Sequence, residues 1–162
     1  LAVKALPGIP EDIHLVLVGK RTYYTNQIDA FIKSHRLEKR VHLLHDITFQ
    51  YLPAIYQQAE IFVYPSRFEG FGIPIIEALH SGIPVIAATG SCLEEAGGPD
   101  SLYVHPDDKE GMTKAICSLL NHPEKRQHMI EQGLKYVTRF SEQRQAEELM
   151  NLYRSLTEEK TI

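Results

Sequence analysis

The sequence has no tryptophan, two cysteines, no excess of basic residues and no long apolar run, and each shortage removes a class of function. Cys92 and Cys117 lie far apart and lack CxxC spacing, so they build no disulfide framework and point to reduced thiols in a cytosolic setting. Lys and Arg number 17 against 21 Asp and Glu, and nowhere cluster into the stripe that grips nucleic-acid phosphates. No nucleic-acid partner is expected. The longest apolar stretches, such as Ile61–Tyr64 and Ile83–Ala88, fall far short of the roughly 20 residues that cross a bilayer, and no basic amphipathic helix marks a membrane surface. What remains is a chain of 162 residues, long enough for one compact domain and too short for two full-sized ones.

Along the chain, short β-branched runs alternate with segments of helical period. His14–Gly19, Val41–Leu44, Ile61–Pro65 and Pro84–Ala88 read as strands; Asn26–His35, Thr48–Gln58 and Pro74–Ser81 read as the helices between them. Strands apolar nearly throughout are expected to be covered on both faces. The pattern therefore predicts an α/β fold, a Rossmann-like doubly wound parallel sheet with helices on both faces. A further strand over Leu102–His105 precedes three C-terminal helices, Lys109–Leu120, Pro123–Thr138 and Ser141–Thr157. His122-Pro123 divides the first two, and Ser141 is placed to cap the third. The opening LAVKALPGIPED reads as the tail of a helix entering a loop, so the chain is expected to start mid-fold, and the polar end Thr157–Ile162 is expected to fray.

Ligands of open parallel sheets bind beyond the carboxyl ends of the strands, which directs attention to the loops after Gly19, Leu44, Pro65 and Ala88. Pro65-Ser66-Arg67-Phe68-Glu69-Gly70-Phe71-Gly72-Ile73-Pro74 carries two glycines and ends on a proline suited to a first helical turn. The amides of Gly70, Phe71, Gly72 and Ile73 are then available to a diphosphate or to sugar hydroxyls. Glu77 falls among Ile75, Ile76, Ala78 and Leu79, where a carboxylate needs donors, and a ribose diol bound bidentately would supply them. The competing reading pairs it with His80 one turn on. Glu69 is placed to accept from a second hydroxyl-bearing group, against a reading that pairs it with Arg67. Lys20 and Arg21 follow a strand end and can either lean over a diphosphate or form a solvated turn. His45 follows the next strand. His42 and His45 point to opposite faces of that strand and have no third ligand, so no metal site is expected.

Pro65–Ala88, PSRFEGFGIPIIEALHSGIPVIAA, resembles the signature of retaining glycosyltransferase family 4, the group 1 glycosyltransferases of GT-B fold. The shared features are a Pro-Ser, a glutamate before Gly-Phe-Gly, a second glutamate eight positions later and Gly-x-Pro-Val-Ile. HLVLVGK, YQQAEIFVYPS and VHPDDKEGMTKAICSLLNHPEKRQHM resemble further family segments, so the likeness spans nearly the whole chain. It implies that Glu77 binds ribose hydroxyls, that Glu69 contacts the donor sugar as the catalytic-site carboxylate, and that Gly70, Phe71, Gly72 and Ile73 serve sugar and diphosphate. Lys20, Arg21 and His45 would lie near the diphosphate and base. It further implies that no metal or other cofactor takes part, the donor being a nucleotide-diphosphate sugar.

The family's basic Arg and Lys, just after the first strand of this domain, have no counterpart here, and that strand would precede Leu1. Residues 1–162 thus resemble a donor-binding domain without its first strand and without the N-terminal domain that binds a glycan or lipid-linked acceptor. The implied setting is cytoplasmic, with peripheral association at the inner membrane face open for a longer protein. His80, Ser81 and Leu93 depart from the family pattern and leave the acceptor side open. A dehydrogenase is disfavoured because no GxGxxG follows the early strand, and a P-loop because His14 stands where its first glycine belongs. A nucleotide-sugar epimerase, a glycogen-synthase-like enzyme and a binding or regulatory module without turnover stay open.

Overall fold

The computed structural model describes residues 1–158. Helix α1 (Ala2–Ala5) tightens into a 3-10 turn over Leu6–Gly8, and β1 (Leu15–Val18), α2 (Tyr23–Ser34) and β2 (Val41–Leu44) follow. A second 3-10 turn, Phe49–Tyr51, leads into α3 (Leu52–Gln57), then β3 (Phe62–Tyr64), α4 (Ile73–His80), β4 (Val85–Ala88), α5 (Leu93–Gly97) and β5 (Leu102–Val104). Three helices close the chain: α6 (Lys109–Asn121), α7 (Pro123–Val137) and α8 (Glu142–Glu158). The expected fraying of Thr157–Ile162 falls, for 159–162, outside the described residues; Thr157 itself is helical.

Every strand pairing is parallel, with Leu15 opposite Val41, Phe62 opposite Val85 and Ile86 opposite Leu102. The α/β class is as the alternation predicts, but the sheet is in two pieces, β1–β2 and β3–β4–β5. One core serves both. Leu15, Leu17 and Leu43 from the first piece pack with Ile61, Val63, Ile86 and Val104 around the second. Among the described residues, β1 and β3 are each paired on one side only.

Coverage of both faces fails at β1. Leu15 and Leu17 turn to the core, whereas Val16 and Val18 are 46% and 43% exposed on the face that also carries His14 and His42. β4, with neighbours on both sides, is buried at every residue.

Several element ends moved for identifiable reasons. The α2 helix begins at Tyr23 rather than Asn26 because the Thr22 amide donates to Thr25 Oγ1 at 2.9 Å, fixing the first turn earlier. Thr48–Gln58 splits because Pro53, lacking an N–H, starts a new helix instead of continuing the 3-10 turn. β3 stops at Tyr64, before Pro65 removes a ladder donor. The division at His122-Pro123 and the boundary near Ser141 stand where the sequence puts them.

Candidate functional site

Helix α4 brings the candidate carboxylates into place. Ile75, Ala78 and Leu79 recur at i, i+3 and i+4 and bury against Val85, Leu93 and Val137, with Ile75 and Leu79 together worth about 3–6 kcal/mol. That packing fixes the helix rotation and leaves Glu77 half-buried beside the core face. Gly82, with φ near +70°, ends the helix in a Schellman motif, its amide donating to Leu79 O and that of Ile83 to Ala78 O.

At the other end of α4, Gly72 adopts φ +108° as N-cap, a left-handed conformation that glycine alone enters cheaply. Its backbone also presses on α5, where an added Cβ would stand 3.0 Å from Leu93 Cδ2 and 3.1 Å from Ala96 Cβ. The amides of Gly70, Phe71, Gly72 and Ile73 donate to nothing among the described residues. Four adjacent free donors at a helix N-terminus favour a negatively charged or hydroxyl-rich guest.

Both carboxylates have a protein donor. Tyr56 of α3 donates to Glu77 Oε2 at 3.0 Å, and Tyr64, the last residue of β3, donates to Glu69 Oε1 at 2.6 Å. Neither expected competitor is present: His80 is exposed and makes no bond to Glu77, and Arg67 pairs bidentately with Asp107, Nη1 to Oδ2 at 3.0 Å. The Arg67 guanidinium holds the Asp107 carboxyl below the usual carboxylate range. This pair ties the glycine loop to the turn after β5. Cys92 adds a second tie, its thiol donating to the Glu69 carbonyl at 3.3 Å.

The remaining candidates are more scattered. Arg21 forms a salt bridge with Asp29 of α2 at 3.1 Å, while Lys20 is exposed and carries no ion pair among the described residues. His45 Nδ1 donates to Gly19 O at 2.9 Å, stitching the carboxyl ends of β1 and β2. His42 turns the other way and meets His14, Nε2 to Nδ1 at 2.9 Å, so His42 and His45 share no site. Glu69, Gly70, Phe71, Gly72, Ile73 and Glu77 are thus gathered after β3 and at the start of α4, while Lys20, Arg21 and His45 lie on the loops after β1 and β2. Tyr56, Tyr64 and Asp107 were not foreseen from the sequence; the signal for Tyr56 was Glu77 itself, a carboxylate in an apolar run that required a donor.

Comparison with known proteins fits this geometry. A profile described as "Glycosyl transferases group 1" matches residues 1–136. O-antigen chain mannosyltransferase RfbU of Salmonella typhimurium is 35% identical over 114 residues, covering 70% of this chain and 32% of its own. O-antigen chain mannosyltransferase B of Escherichia coli is 30% identical over 142 residues, 88% of this chain and 37% of that one. The chain thus spans about a third of the length of these relatives. Among solved structures, sucrose-phosphate synthase from Thermosynechococcus elongatus superposes with TM-score 0.85 at 29% identity, over 98% of this chain and 42% of its own. Anabaena Alr3699/HepE in complex with UDP superposes with TM-score 0.83 at 22% identity, over 92% and 44% respectively. The family profile covers far more than half of the chain, and the chain belongs to the group 1 glycosyltransferases.

Proposed function

We propose that this chain is the donor-binding part of a retaining, metal-independent glycosyltransferase of family 4, which moves a hexose-type group from a UDP- or GDP-sugar to a glycan or lipid-linked acceptor. The observation that carries the reading is the glycine loop: four free amides in a row, bracketed by two half-buried carboxylates that each keep an oxygen without a partner. A nucleotide sugar offers complementary groups in the same order, ribose hydroxyls for Glu77, a diphosphate for the amides and sugar hydroxyls for Glu69. UDP in the Anabaena protein of like fold makes uridine a first base to test.

In this reading the nucleoside diphosphate departs from the same face on which the acceptor arrives, the sugar passes through an oxocarbenium-like state, and the charge growing on the diphosphate is met by the amides of Gly70–Ile73. Lys20, close to the same edge, adds positive charge, and Arg21 does so once released from Asp29. No cation or other cofactor is required. A strand from preceding residues, running into α1 and set between β1 and β3, would join the two pieces of the sheet. The acceptor domain and the basic pair would come from the same upstream chain, and the protein would work in the cytoplasm.

Glu77→Ala is expected to weaken nucleoside diphosphate binding by about tenfold or more, and Glu69→Ala to weaken binding of the nucleotide sugar while sparing the diphosphate. Calorimetry on this chain separates the two. Wild-type affinity for the diphosphate in Glu77→Ala would refute the ribose assignment.

A further inference from the structure

The two tyrosines that hold the carboxylates are built as one unit. The Tyr56 ring meets Phe62 edge-on with centroids 5.3 Å apart, and Phe62 stacks on Tyr64 at 5.8 Å. The three rings, from α3 and β3, fix both hydroxyls relative to each other before any ligand arrives. Burial, then the hydrogen bond to the facing carboxylate, push both phenols above their ordinary range, so both remain donors throughout neutral pH. No lysine, arginine or backbone amide touches either carboxylate among the described residues, and Glu77 Oε1 and Glu69 Oε2 accept nothing.

We propose that Tyr56 and Tyr64 are positioning residues of the donor site, each occupying one oxygen of its carboxylate and presenting the other as a single acceptor, Tyr56 through Glu77 for a ribose hydroxyl and Tyr64 through Glu69 for a hydroxyl of the transferred sugar. The inference rests on the donor-site reading and refines its ribose grip: Tyr56 takes one acceptor position of Oε2, so the unpartnered Oε1 is the stronger acceptor and favours one ribose hydroxyl over the other. A ligand lacking that hydroxyl would leave a half-buried carboxylate oxygen unmatched, which is where selectivity for ribose over deoxyribose arises. Tyr64 acts in the same manner on a different part of the ligand, so the two substitutions should separate cleanly.

The test is calorimetric titration of wild type, Tyr56→Phe and Tyr64→Phe with UDP, 2′-deoxy-UDP, 3′-deoxy-UDP and UDP-glucose, and with the guanosine series ending in GDP-mannose. Tyr56→Phe is expected to lower affinity for the ribonucleotide about tenfold while leaving one deoxy analogue unchanged, collapsing the ratio between them. Tyr64→Phe is expected to leave the diphosphate unchanged and lower nucleotide-sugar affinity by a similar factor. A structural role alone would lower all ligands together. That outcome, or unchanged ratios in both variants, overturns the inference and leaves the donor-site reading standing. No saturable binding of any of these ligands by wild type would overturn the reading on which it rests. A thermal double-mutant cycle of Tyr56→Phe with Glu77→Ala reports the hydrogen bond without ligand: non-additive shifts support the pairing and additive ones refute it.

Discussion

Gly70 and Gly72 flank Phe71 in one loop, yet they are glycines for different physical reasons. Gly72 is required by the fold, through its φ of +108° and the contact of its backbone with Leu93 and Ala96, so Gly72→Ala should cost about 1–3 kcal/mol in chemical denaturation. A Cβ at Gly70 would meet nothing within 4 Å, and the residue is exposed. Gly70→Ala should therefore change stability by less than about 0.5 kcal/mol and, under the proposed donor-site reading, still weaken nucleotide-sugar binding by filling space proposed for the ligand. Tyr103 is one of three phenols, with Tyr56 and Tyr64, held above their ordinary range and so felt at high pH. Burial raises the Tyr103 phenol to about 12, and its hydroxyl donates to Gly98 O at 2.6 Å. A proton held more tightly in the folded state lends stability below the unfolded pKa of about 10 and withdraws it as pH climbs through the folded value. Melting temperatures should fall between pH 10 and 12, and Tyr103→Phe should lower stability at pH 8 while making that fall shallower. Glu69 and Glu77 were legible in the sequence as carboxylates in unusual company. Their tyrosine partners were not, because Tyr56 precedes Glu77 by a strand and a loop, a contact no local period encodes.

At the scale of elements, strong periodic segments and proline punctuation were the readable part. β2 spans Val41–Leu44 as four apolar-rich residues demand, and α7 starts at Pro123, whose ring suits a first turn. The sequence reading missed α5, five residues long, because Leu93–Gly97 contains a single turn of pattern and ends in glycine. Helix α8 is the opposite case, well marked in sequence but not packed. Leu149, Met150, Leu152, Tyr153 and Leu156 are all about half exposed. These residues therefore add little to this domain. Replacing Leu149, Leu152 and Leu156 together by Gln should leave its melting temperature within about 2 °C.

For the whole molecule, the broken sheet was not legible, since each strand was readable but its neighbour was not. Pairing of Leu15 N with Arg40 O and Gly19 N with Leu44 O points the odd-numbered amides of β1 at β2, which leaves those of Val16 and Val18 directed away from it. In β3, Phe62 N pairs with Pro84 O, which leaves the amide of Val63 directed away from β4. If an upstream strand is set between β1 and β3, these three amides should exchange rapidly in this chain and slowly in a longer protein that carries the preceding residues, whereas Leu17 should be protected in both. Equal, fast exchange in the longer protein would refute the missing strand.

The donor site itself is tested most directly by titrating this chain with UDP, GDP, ADP and UMP, each with and without EDTA. The expected result is saturable binding of one nucleoside diphosphate, unaffected by EDTA, weaker for UMP than for UDP, and weakened about tenfold or more on replacing Glu77 by alanine. Binding that requires a divalent cation, or that survives intact in Glu77→Ala, would contradict it.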